Sequence, residues 1–170
     1  MKSKKIIISS LFLAIGMILH QISPPILMGM KPDFLLAMMF IAILVSKDYK
    51  TTLVIGITAG VLTALTTNFP GGQIPNVIDK IITSQCVYFI YKIMGDKINN
   101  RIKILVISSI GTIISGCVFL STALLMAGLP APFGVLVVTV VLPATIINAI
   151  ASFVLYGVVN TALKYSVNKV

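Results

Sequence analysis

The polar positions of this chain gather in short clusters, and six apolar runs lie between them. The first run extends from Ile6 to Ile22 behind a basic start, Met1-Lys2-Ser3-Lys4-Lys5. The second extends from Phe34 to Ser46, with Pro32 placed to be its first helical residue. The third spans Thr51 to Thr67, and the fourth starts near Pro75 and ends near Met94. The fifth spans Ile102 to Gly128 and the sixth Val135 to Leu163. None shows the period-two alternation of a membrane β-strand, so all are expected as helices. Counted from Pro32, the second covers about 22 Å at 1.5 Å per residue. That is short of a hydrocarbon core of roughly 30 Å. The last two runs are long enough to cross with tilt or a kink, and Pro143 should bend the sixth.

Composition turns these runs into membrane spans. Of 170 residues (18.2 kDa), 58% are hydrophobic and only 10% charged, with a mean hydropathy of +1.08. A soluble domain carries roughly 25% charged residues, and a folded globule cannot hide this much apolar surface from water. An ordinary soluble enzyme, a disordered chain and a nucleic-acid-binding domain are excluded. An all-α integral membrane protein remains, with six transmembrane helices in one bundle and a single domain over residues 1–170. The N-terminus imitates a signal peptide. No small-x-small cleavage site follows the apolar core; the sequence goes on to His20-Gln21-Ile22-Ser23-Pro24-Pro25, so a retained first helix is expected.

The net charge of +9 does not point to nucleic acid, because the basic residues sit at the ends of the apolar runs. There they act as topology signals and meet the anionic headgroups of the lipid bilayer. With a cytoplasmic N-terminus, one side holds Lys2, Lys4, Lys5, Lys47, Lys50, Lys92, Lys97, Arg101, Lys103, Lys164 and Lys169. The other side holds only Lys31 and Lys80. The positive-inside rule then places both termini in the cytoplasm. The two exceptions each lie close to an aspartate, Asp33 and Asp79.

The outer side is therefore where chemistry is expected. Its first loop, Ser23 to Asp33, and its third, Asn68 to Asn76, are rich in proline and glycine. Such backbone must face water or line a cavity. Adjacent residues on a helix point about 100° apart, so Asp79 and Lys80 should pair poorly with each other and seek other partners. One candidate partner is the Lys31/Asp33 pair, in a structural cluster. Another is a bound zwitterion, its carboxylate on a lysine and its ammonium on an aspartate. Exposure to headgroups is the third. His20 reads as interfacial, and Asn148 as an amide bonding a neighbouring helix. Small residues mark close helix contacts: Ser10 and Ala14 on the first helix, and Gly56, Gly60 and Ala64 on the third. Cys86 and Cys117 have no metal-ligand spacing and read as buried packing residues, and no cofactor is implied. No phosphate loop, HExxH or GxSxG occurs, and the loop from Lys92 to Lys103 is too short to fold an ATPase domain. The chain is not expected to be an enzyme.

Four stretches carry a resemblance: Met30-Lys31-Pro32-Asp33, Phe69 through Lys80, Gly111-Thr112-Ile113-Ile114-Ser115-Gly116, and Val141-Leu142-Pro143. They resemble the bacterial tryptophan transporter family, which is similar to the substrate-binding S components of energy-coupling factor (ECF) transporters. The resemblance implies a multi-pass protein of the bacterial cell membrane that captures L-tryptophan from outside. It also implies partners: a transmembrane coupling subunit and paired ATPase subunits, docked at the Ser10/Ala14 face. On that reading Lys80 takes the ligand carboxylate and Asp79 the ammonium, with Lys31 and Asp33 as substitutes or supports. Gln73, Asn76 or Asn148 accepts the indole N–H, and Met28, Met30 and Phe69 cover the ring. Two other functions compete: a stand-alone ion-coupled carrier, and a membrane scaffold without a small ligand.

Overall fold

The computed structural model describes residues 2–24, 33–95 and 97–167. Within these residues the chain is all helix and turn. The elements are α1 (Lys2–Ile22), α2 (Phe34–Ser46), α3 (Tyr49–Thr66), α4 (Gln73–Met94), α5 (Asn100–Met126) and a composite α6. The last consists of Phe133–Leu136, a π-helical turn at Val137–Val141, and Leu142–Val167.

Local chemistry sets the helix starts. The carboxylates of Asp33 and Asp48 accept the backbone N–H of Leu36 and Thr51, each at 2.9 Å, and cap α2 and α3. Asn99 caps α5 by accepting from the Arg101 N–H at 2.9 Å. Pro75 is tolerated in the first turn of α4, where the backbone N–H has no intrahelical partner.

The helix α2 lies at the centre, touched by α1, α3, α4, α5 and α6. Eleven of its thirteen residues are buried, so every face of it is apolar. Its neighbours approach through glycine. A Cβ on Gly16 would lie 2.8 Å from Met38 Cβ, and one on Gly111 would lie 2.7 Å from Phe40 Cζ. The expected stripe on α3 packs inward: Gly56 faces Ser84 and Gly60 faces Val77 of α4. On α1, by contrast, Ser9, Phe12, Leu13 and Gly16 face inward while Ser10 and Ala14 are exposed.

Among the described residues, four helices are long and apolar enough to cross a bilayer: Lys4–Ile22, Tyr49–Thr66, Asn100–Met126 and Phe133–Tyr165. The helix α2 is apolar but short, and α4 carries Asp79, Lys80 and Lys92 along its length. At Pro143 the expected bend takes the form of the π turn, which ends two residues earlier. A proline ring crowds the carbonyl four residues back, here that of Thr139, and a π turn widens the helix at that carbonyl. Leu136, Val137 and Leu142 keep right-handed helical angles, so the rod is continuous. Two expectations from composition need correction. Cys86 and Cys117 are free thiols and only partly buried. Lys103, counted with the basic residues of the inner side, is buried with its ammonium 5.3 Å from the Tyr91 ring centre.

Candidate functional site

One end of the bundle encloses a cavity of about 230 Å³. The start of α2 supplies Asp33 and Leu36, and Thr67 follows α3. The first half of α4 supplies Asn76, Asp79 and Lys80, and α5 supplies Thr112, Ser115, Gly116 and Phe119. The remaining wall is α6, with Val140, Val141, Ala144 and Asn148. Gly116 is needed here for space: a Cβ on it would lie 2.7 Å from both γ-methyls of Val141.

The polar groups form one network. Lys80 Nζ donates to Asp79 Oδ2 at 2.5 Å and to Ser115 Oγ at 3.2 Å. Ser115 Oγ donates in turn to Asp79 Oδ2 at 2.8 Å, and Thr83 Oγ1 donates to Asp79 Oδ1 at 2.8 Å. Asp79 and Lys80 are both buried. Asp33 stands at the edge, its Oδ2 3.7 Å from Lys80 Nζ and its Oδ1 3.8 Å from His20 Nδ1. The backbone N–H of Asp33 donates to Asn148 Oδ1 at 2.8 Å, which ties α2 to α6.

Asp79 and Lys80 therefore pair directly, contrary to the expectation from helix geometry. The reason is dielectric. Two charges removed from water attract strongly, and a lysine stem is flexible enough to curl back to its neighbour. Ser115, from the next helix, bridges the pair.

The cavity brings together Asp33, Asn76, Asp79, Lys80 and Asn148. The oxygen of Asn148 offered for an indole N–H already accepts from Asp33. Asn76 Nδ2 donates to the Gly72 carbonyl at 2.8 Å. Phe69 does not line the cavity; its ring packs edge-on against Phe119, centroids 5.3 Å apart. Gln73 is exposed and away from the lining. Met28, Met30 and Lys31 lie outside the described residues. Ser115, Thr83 and Thr112 were missed as individual contacts. The signal for Thr112 and Ser115 was the spacing of Gly111, Thr112, Ser115 and Gly116, which lays small and polar groups along one face of α5.

The family profile described as Tryptophan transporter TrpP matches residues 2–164, nearly the whole chain. The chain belongs to the tryptophan transporter family. Three relatives share its length. A protein of Clostridium acetobutylicum named "Probable tryptophan transport protein" is 54% identical over 96% of both chains. A Bacillus subtilis protein of the same name is 48% identical over 98% of this chain and 96% of its own. One of Clostridium perfringens, also so named, is 43% identical over 95% of this chain and 94% of its own. No solved structure matches the chain significantly. As a member of the tryptophan transporter family it is a transport protein, not an enzyme, and its several long apolar helices are those of a membrane protein.

Proposed function

We propose that the chain captures L-tryptophan from outside the bacterial cell and acts as the substrate-binding S component of an ECF-type transporter. The observation that carries this reading is the cavity itself. Its buried lysine and two carboxylates stand at one side, and Leu36, Phe119, Val140, Val141 and Ala144 form apolar walls. A zwitterionic head group with an aromatic side chain has the matching division of polar and apolar surface. The substrate named in the three relatives supports the same choice.

The bundle is read as six spans with both termini in the cytoplasm, supported by the asymmetry of eleven basic residues on one side against two on the other. The cavity then lies on the outer half, with Gly71 and Gly72 of the third loop. Thiol labelling from outside at an Ile98→Cys position would overturn that orientation. Energy comes from separate ATPase subunits, since the chain has no phosphate loop. The coupling subunit docks on the outward face of α1, where Ser10 and Ala14 are exposed.

The chain contains no Trp, so the fluorescence of bound tryptophan can be followed without an indole background. Detergent-purified protein should bind tryptophan saturably, and vesicles should accumulate it only when the ATPase module is present. Absence of binding refutes substrate capture. Uptake by the chain alone refutes the S-component role and favours a stand-alone carrier.

A further inference from the structure

Among the described residues, three charged side chains line the cavity, and they are not equivalent. Lys80 is one cation against two carboxylates, and its ammonium already donates to Asp79 and Ser115. Asp79 is 1% exposed and uses both oxygens, Oδ1 for Thr83 and Oδ2 for Lys80 and Ser115. A ligand could reach Asp79 only by dismantling this network.

Asp33 differs. Its Oδ1 caps α2 and faces His20, while its Oδ2 stands 3.7 Å from Lys80 Nζ. That separation exceeds hydrogen-bond distance. The Asp33 side chain is 26% exposed and lines the cavity, and among the described residues no hydrogen bond engages this oxygen. The bond from its backbone N–H to Asn148 fixes its position before any ligand arrives. A second observation points to a ligand in the same place. Thr112 lines the cavity, is 4% exposed, and its Oγ1 has no hydrogen-bond partner among the described residues. A buried hydroxyl without a partner is costly, and a polar ligand atom would supply one.

We infer that Asp33, not Asp79, receives the ligand's ammonium, and that Asp79, Lys80 and Ser115 form a fixed scaffold beside it. This rests on the tryptophan reading above. Recognition then reads the amine first. An indole amine without a carboxylate satisfies the open oxygen of Asp33. An indole acid without an amine brings an anion toward two carboxylates and a lysine already engaged.

The test uses the purified full chain and displacement of bound tryptophan by tryptamine or by indole-3-propionate. The variants are Asp33→Asn and Asp33→Ser, both of which keep an oxygen to cap α2 while removing the charge. Tryptamine should displace tryptophan, and indole-3-propionate should not. Both variants should weaken tryptophan and tryptamine binding by about tenfold to a hundredfold with little change in Tm. Displacement by indole-3-propionate equal to that by tryptamine overturns the inference, as does wild-type affinity in either variant. Binding lost only in step with Tm, in both variants, makes Asp33 purely structural and also overturns it. A wild-type protein that binds no tryptophan overturns this inference and the proposed function together. A wild-type protein that binds it, with Asp33→Asn unaffected, overturns this inference alone.

Discussion

Lys80→Met isolates the contribution of the buried network to the fold. Methionine keeps most of the lysine stem and its packing, and removes only the ammonium. Asp79, 1% exposed, would then keep the hydroxyls of Ser115 and Thr83 but no opposite charge within its network. Removing one partner of a buried ion pair costs about 3–5 kcal/mol. For a chain of this length each kcal/mol moves Tm by roughly 2–4 °C, so ligand-free protein should melt on the order of 10 °C lower. The assay is thermal unfolding in detergent without tryptophan, followed by circular dichroism. A paired variant, Lys80→Met with Asp79→Leu, removes both charges and should recover part of the loss. Recovery should be incomplete, because the hydroxyls of Thr83 and Ser115 lose their acceptor. If Lys80→Met melts with the wild type, the pair contributes nothing to stability and the scaffold argument fails. If the paired variant melts below the single one, the loss did not come from a stranded carboxylate.

Three further outcomes concern packing and assembly. Gly56→Ala would set a methyl against Ser84 Oγ and push α3 off α4, for a loss of about 1–3 kcal/mol. Gly157→Ala, with nothing within 4 Å, should melt at or above the wild-type temperature; equal losses in both would show that the close contact at Gly56 is not what decides. Ala14→Leu changes only the exposed face of α1, so binding and Tm of the isolated chain should hold while uptake with the ATPase module falls. Loss of binding in that variant would place Ala14 in the bundle's internal packing.

Helix positions were largely legible, because apolar runs and capping residues both act locally. The second run, Phe34 to Ser46, coincides with α2, and Asp48 and Asn99 mark starts that lie two residues before the apolar residues begin. The form of α6 was not legible: proline predicts a disturbance, but whether it becomes a bend or a π turn depends on the neighbours. The cavity was legible in part. Asp79 and Lys80 stand out as charges in a run with few others. Their bond to Ser115 crosses 35 and 36 positions of sequence, and nothing local announces it. Asn148 was read as an amide bonding another helix, and it does so, through the backbone of Asp33. The aromatic wall was misplaced by one ring, since Phe119 lines the cavity and Phe69 backs it. Rings on separate elements can exchange such roles without any change in pattern.

The burial of α2 has a consequence for how the protein is assembled during synthesis. Its neighbours include α1, made before it, and α3 to α6, made after it. Until α6 emerges, the flank of α2 that will meet it has no protein to touch. In water such a surface would be an aggregation hazard, but lipid tails are as apolar as leucine, so waiting there costs little. For the same reason, trading lipid for a helix gains little from hydrophobicity. The closure of later helices over α2 depends instead on fit, at contacts such as Gly111 on Phe40. A methyl group added at Gly111 would thus act late, on a chain already inserted in the bilayer, and leave it inserted but unsealed.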